Sequence, residues 1–240
     1  MLKLGIIGPA ESEILPFINK ISNAKINEHA MLKFYSGVYE GVDVVSAFSG
    51  VCKVNAAIAT QILISEFKVT HILLTGVAGA LNNLLKVGDV VISNEVAYHD
   101  VSPGILTEYH PWMKEIYFKP DIKLLRLSEI VASNFIENTK CYFGRIITGE
   151  SFITHNEREQ LIERFNPLCV DMESASVAHT CYVNNIPFIV IRSMSDNADE
   201  NSLSSFDDNL EIAALNSIKF VELLIKKLGY TRKKAFSSLF

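Results

Sequence analysis

The sequence predicts an α/β fold of three layers, with helices on both faces of a mixed central sheet. Short runs rich in Val and Ile end at Gly, Ser or Asp and alternate with segments of helical periodicity. That order builds strands covered by helices. The runs Phe34–Tyr39 and Val42–Phe48 flank Glu40-Gly41, a hairpin signal that makes the sheet mixed rather than purely parallel. No internal repeat or linker divides the 240 residues. Residues 1–230 are therefore expected to form one domain, and 231–240 a tail.

Taken in order, Lys3–Gly8 reads as a first strand that stops at glycine and leads into a helix over Glu11–Lys20. After the hairpin, Val54–Phe67 has helical periodicity and His71–Thr75 reads as a buried strand. Thr75–Ala80 is glycine-rich and reads as a tight turn, and Val87–Ser93 as a further strand. Tyr98–Pro120 contains Pro103, Gly104, Pro111 and Pro120, which predicts a long functional or interface loop. Helix Asp121–Glu137, strand Phe143–Thr148 and loop Gly149–Thr154 follow. Next come helix Asn156–Phe165, strand Leu168–Met172, helix Glu173–Asn184 and strand Phe188–Arg192. A last helix covers Asp207–Leu228, with Gly229 as its stop.

Composition removes several function classes. Hydrophobic residues make up 49% of the chain, which excludes a disordered protein. No apolar run approaches the roughly 18 residues of a spanning helix. Met1–Gly8 lacks the basic region and long apolar core of a signal peptide, so a cytoplasmic location is expected. Mean hydropathy is +0.22, high enough to suggest apolar surface covered in an oligomer. Net charge is -5, which gives no general attraction to nucleic acid or to an anionic membrane. The basic cluster Arg232-Lys233-Lys234 reads as a solvated terminus. Cys52, Cys141, Cys169 and Cys181 have no CxxC spacing and read as reduced thiols. The six histidines form no ligand pair, so no metal site is expected.

In α/β folds ligands collect at the carboxyl ends of strands. Three acidic residues follow such ends: Glu13 after Gly8, Glu173 after Met172, and Asp196 after Arg192. Each alone is better explained as a carboxylate in a helix's first turn, where it complements the dipole and caps free N–H groups. Spacing alone selects no reaction.

Several ordered segments are more specific. Leu4-Gly5-Ile6-Ile7-Gly8 with Glu11 and Glu13, Ser49–Asn55, Thr75–Leu81 and Val87–Val91 resemble segments of the 5'-methylthioadenosine/S-adenosylhomocysteine nucleosidases. So do Tyr98-His99-Asp100, Gly149–Ile153, Val170–Glu173 and Arg192–Asp196. The resemblance reaches to about Gly229. It implies a nucleoside phosphorylase-like fold, a homodimer, no metal or organic cofactor, and hydrolysis of the bond between adenine and a 5'-modified ribose. By the same resemblance Asp196 is the general acid toward the purine, Glu13 handles the attacking water, and Glu173 binds ribose hydroxyls and offsets positive charge on the sugar. Phe152 would stack on adenine, and the Ile153 backbone would read its edge. Met172 would pack on the ribose, Gly79 would line the pocket, Ser195 would orient Asp196, and Phe206 would form an apolar wall. Taken alone, Phe152, Met172 and Phe206 read as ordinary core packing.

Carboxylates at Glu11 and Glu13 and the apolar Leu73-Leu74 stand where phosphorylase relatives place arginines. That favours water over phosphate as the nucleophile. Three positions depart from the pattern: Val77 for a usual serine, Cys52 for a usual glycine and Ala10 for a usual methionine. The loop Val101–Trp112 departs as well. A related phosphorylase, a futalosine-type hydrolase and a catalytically silent nucleoside-binding protein remain as alternatives.

Overall fold

A computed structural model describes residues 2–102, 104–109, 113–135, 139–153, 155–198 and 202–237. The first half contains β1 (Lys3–Gly8), α1 (Glu11–Ile18), β2 (Ser22–His29), β3 (Leu32–Tyr39), β4 (Val42–Phe48), α2 (Lys53–Ser65), β5 (His71–Leu74) and β6 (Val77–Ala80). It is followed by β7 (Val90–Tyr98), the short α3 (Ile105–Glu108), α4 (Ile122–Ala132) and β8 (Cys141–Thr148). The chain continues through α5 (His155–Phe165), β9 (Cys169–Asp171), α6 (Ser174–Asn184), β10 (Phe188–Asp196) and α7 (Ser202–Ser237).

The strands form one mixed sheet in the order β2-β3-β4-β1-β5-β10-β6-β9-β8-β7. Because β7 also pairs with β10, the last five strands close into a ring. The hairpin β3–β4 turns at Glu40 and Gly41, both with positive φ (50° and 77°), as a two-residue turn of the primed type requires.

Alternation along the strands separates two cores. Leu4 and Ile6 of β1, Leu73 of β5, and Ile189 and Ile191 of β10 pack in one cluster with Phe17 of α1, Leu124 of α4 and Phe220 of α7. Their neighbours Ile7, Leu74 and Val190 pack in the other, with Leu63 of α2 and Cys181 of α6. Helices thus cover both faces of the sheet, as the strand–helix alternation implied. Among the described residues, no helix is long and apolar enough to cross a membrane.

Four elements differ from the sequence reading. Strand β2 was not anticipated, because all eight of its residues are exposed and carry no apolar alternation. It is an edge strand held by pairing with β3, and its charges suit an edge. The supposed turn Thr75–Ala80 contains strand β6, which pairs with both β10 and β9. Strand β10 runs on past Arg192 to Asp196, so Asp196 lies within a strand rather than in a loop after it. Finally, α7 passes through Gly229 to Ser237. A Cβ at Gly229 would lie 3.0 Å from the Val42 methyl, so the glycine lets the helix approach β4 rather than ending it. Helix backbone therefore continues into the stretch expected to be a tail. The side chains of Arg232, Lys233 and Lys234 lie outside the described residues, as do Pro103 and residues 110–112 of the Val101–Trp112 loop.

Candidate active site

Carboxyl ends of strands converge on one cavity of about 330 Å³, within the usual size range of ligand pockets. All nine residues singled out in the sequence line it. Glu13, Gly79, Phe152, Ile153 and Met172 do so together with Glu173, Ser195, Asp196 and Phe206.

Glu13 is placed by the first turn of α1. Its Oε2 accepts the Ala10 N–H at 2.7 Å, and its Oε1 accepts the Val77 N–H at 2.7 Å. The first bond is a cap of the kind that the sequence offered as a purely structural alternative. The second reaches across to β6 and fixes the carboxylate beneath the cavity. Burial raises its pKa above the usual carboxylate value, against the opposing pull of Arg192 and the two N–H groups. Val77 serves Glu13 through its backbone, while its side chain packs with Phe206, Leu210, Ala213 and Ala214.

Glu173 sits where β9 meets α6. Its Oε1 accepts the Cys52 N–H at 2.9 Å and its Oε2 accepts Arg192 Nη2 at 3.0 Å. Burial pushes its pKa up to about 7; Arg192 opposes the rise, and Asp171 and Glu13 add to it. Asp196, at the end of β10, accepts the Ser195 hydroxyl at 2.8 Å and the Ala198 N–H at 2.8 Å. A Cβ at Gly79 would stand 2.9 Å from Asp196 Oδ1, so glycine is what lets β6 pass this carboxylate. The Phe152 and Phe206 rings meet edge to face at 6.0 Å. Among the described residues, no cluster of His, Cys, Asp or Glu is placed to hold a metal ion.

The profile of the phosphorylase superfamily matches residues 3–226. A 5'-methylthioadenosine/S-adenosylhomocysteine nucleosidase of Exiguobacterium sp. is 40% identical over 95% of this chain and 99% of its own. The chain belongs to the 5'-methylthioadenosine/S-adenosylhomocysteine nucleosidase family. The nucleosidase of Colwellia psychrerythraea, solved in complex with adenine, superposes with a TM-score of 0.89 at 38% identity. That match covers 95% of this chain and 96% of the other. A futalosine hydrolase of Helicobacter pylori superposes with a TM-score of 0.86 at 31% identity, over 94% of this chain and 98% of its own.

Two residues that hold this nucleosidase-family site together were not singled out in the sequence. Arg192 is fully buried in β10. It donates to Asp171 Oδ2 at 2.7 Å, to Glu173 Oε2 at 3.0 Å and to the Thr75 carbonyl at 3.4 Å. Asp171 also accepts the Thr148 hydroxyl at 2.6 Å and the Ser174 N–H at 3.1 Å. The available signal was an arginine directly after the apolar run Phe188-Ile189-Val190-Ile191. A buried charge demands partners, but sequence alone does not say which. Gly76 is the space above it: a Cβ there would lie 2.3 Å from Arg192 Nη1 and 2.8 Å from Glu13 Oε1.

Cys52 is the departure with a visible structural cost. It has φ 81° and ψ 164°, a region suited to glycine and costing other residues about 1–3 kcal/mol. Cys52→Gly is therefore expected to raise unfolding free energy by about 1 kcal/mol, after the extra chain entropy of glycine is subtracted. The midpoint of denaturant unfolding reads this out. An unchanged midpoint would mean that the backbone at this position is not strained.

Proposed function

We propose that this protein hydrolyses the N-glycosidic bond of 5'-methylthioadenosine and S-adenosylhomocysteine, releasing adenine and the 5'-modified ribose. One observation carries hydrolysis over phosphorolysis. Of the described residues that line the cavity, five are carboxylates (Glu13, Asp171, Glu173, Asp196, Asp207) and none is Lys or Arg. Arg192 lies close by, but its guanidinium is already shared between Asp171 and Glu173. A phosphate dianion would meet repulsion here, whereas water would not.

In this reading Asp196 gives a proton to the five-membered ring of the purine as the carbon–nitrogen bond breaks, so that adenine leaves neutral. Positive charge develops on the sugar and is offset by Glu173, which also accepts the ribose hydroxyls. Water adds to the anomeric carbon and passes its proton to Glu13, whose pKa burial raises, making it a stronger base than an ordinary carboxylate. Phe152 stacks on the adenine, the Ile153 backbone reads its edge, and Met172 packs on the ribose. Gly79 and Phe206 shape the walls, and the Ser195 hydroxyl orients Asp196.

The protein is further proposed to work as a cytoplasmic homodimer. Val54 and Ile58, one turn apart on α2, are 67% and 42% exposed, and Tyr182 and Val183 of the neighbouring α6 are 40% and 44% exposed. Apolar residues left open on one helical layer suit a partner surface. All four cysteines are free thiols, as a reducing compartment keeps them. Sedimentation as a monomer would remove the dimer reading.

Adenine release decides the reaction. Release from methylthioadenosine and adenosylhomocysteine is expected at the same rate with and without phosphate, with inosine inert. A phosphate requirement would assign a phosphorylase. Cleavage of futalosine alone would assign the futalosine-type reaction, and no cleavage of any of these would leave a binding protein.

A further inference from the structure

The turn Tyr98-His99-Asp100 at the end of β7 does not line the cavity, yet it joins two segments that do. Asp100 Oδ2 accepts Lys53 Nζ at 2.8 Å and the Glu150 N–H at 3.0 Å. Lys53 in turn donates its own N–H to Glu150 Oε1 at 3.0 Å, which closes a ring of three residues. Lys53 directly follows Cys52, whose N–H holds Glu173. Glu150 opens the loop that carries Phe152 and Ile153. Beside Asp100 in sequence, the His99 imidazole lies flush against Gly149, where an added Cβ would collide with its ring. His99 Nε2 is buried without a hydrogen-bond partner among the described residues. The imidazole thus supports the loop by shape, and the three-residue polar ring supplies the directed bonds.

The Lys53 and Asp100 side chains are 21% and 27% exposed, and pairs so open to water contribute little to stability. Their geometry serves position instead. A charge-assisted bond to the loop's own backbone fixes where that loop begins. Fixing the groups around a substrate is worth far more to binding and rate than such a pair is worth to folding. We propose that Asp100 and Lys53 are positioning residues. They tether loop 149–153 to the segment that holds Glu173, and so set affinity for the nucleoside without touching it. The proposal rests on the reading of Phe152 and Ile153 as adenine contacts.

Asp100→Asn, Lys53→Met and the double variant test it, in the full-length protein with methylthioadenosine as substrate. Each single change is expected to raise KM roughly tenfold with kcat within about threefold of the parent. The double variant is expected to be no worse than the poorer single one, because both break the same Lys53–Asp100 ion pair, while the Lys53 N–H bond to Glu150 is open to all three. Hydrogen exchange of amides 150–153 in the ligand-free protein is expected to quicken in all three, while that of β10 stays as in the parent. Unchanged KM in both single variants, KM losses that multiply in the double, or unchanged exchange would overturn the proposal. If the parent released no adenine, the stacking reading would fall, and exchange alone would still decide whether the tether exists.

Discussion

Asp196→Asn is expected to lower kcat by about a hundred- to ten-thousandfold, the usual contribution of a positioned general acid, with KM and thermal midpoint near those of the parent. The substitution is nearly isosteric, and the surrounding hydrogen bonds accommodate it. The Ala198 N–H still finds an oxygen, and the Ser195 hydroxyl, which now donates to Oδ2, can turn to accept from an amide. What the amide lacks is an acidic proton. Adenine would then have to depart as an anion from a cavity already lined by carboxylates. Carboxylates lining the cavity penalise a negative leaving group, so the loss falls on the bond-breaking step rather than on binding. Adenine release under saturating methylthioadenosine measures it. A kcat within threefold of the parent would remove Asp196 from the chemistry.

What was legible in the sequence, and what was not, follows from which interactions are local. An unbroken apolar run such as Leu4-Gly5-Ile6-Ile7 shows a strand buried on both sides, because each face needs its own apolar partners. The hairpin at Glu40-Gly41 was readable because the turn's chemistry lies in the turn itself. Strand β2 was not, since Ser22–His29 has no buried face and exists only by pairing with β3. Strand β6 was hidden for a related reason. Gly76 breaks the chain between β5 and β6, so the sequence signals a turn while the pairing partners, β9 and β10, lie about ninety or more residues away. In the site, motif resemblance gave the positions of residues that now surround one cavity. The Arg192–Asp171–Glu173 network needed the closed ring of strands, because nothing local to residue 171 points to residue 192.

That network makes Arg192→Leu the substitution with the largest expected cost to stability, about 3–5 kcal/mol. The reason is what remains, not what is removed. Arg192 is fully buried and serves two carboxylates that are themselves at most 6% exposed. Leucine fills part of the volume but leaves Asp171 and Glu173, both largely buried, without their cation. Replacing an entire buried ion pair by apolar side chains can be neutral, whereas removing one member is not. Denaturant melts check the figure, and a loss under about 1 kcal/mol would show that water or rearrangement replaces the guanidinium. Arg192→Lys keeps a charge and allows the kinetic consequence to be read. Arg192 is the strongest influence holding the Glu173 pKa down against burial. A cation that reaches Glu173 less well lets that pKa climb above about 7. More Glu173 is then protonated at neutral pH, and less negative charge faces the sugar. Because the role proposed for Glu173 needs its ionised form, the acid limb of the pH–activity profile should move to higher pH. An acid limb that stayed in place, or moved lower, would mean that Glu173 does not act as the anion opposite the sugar, whatever holds it in the fold.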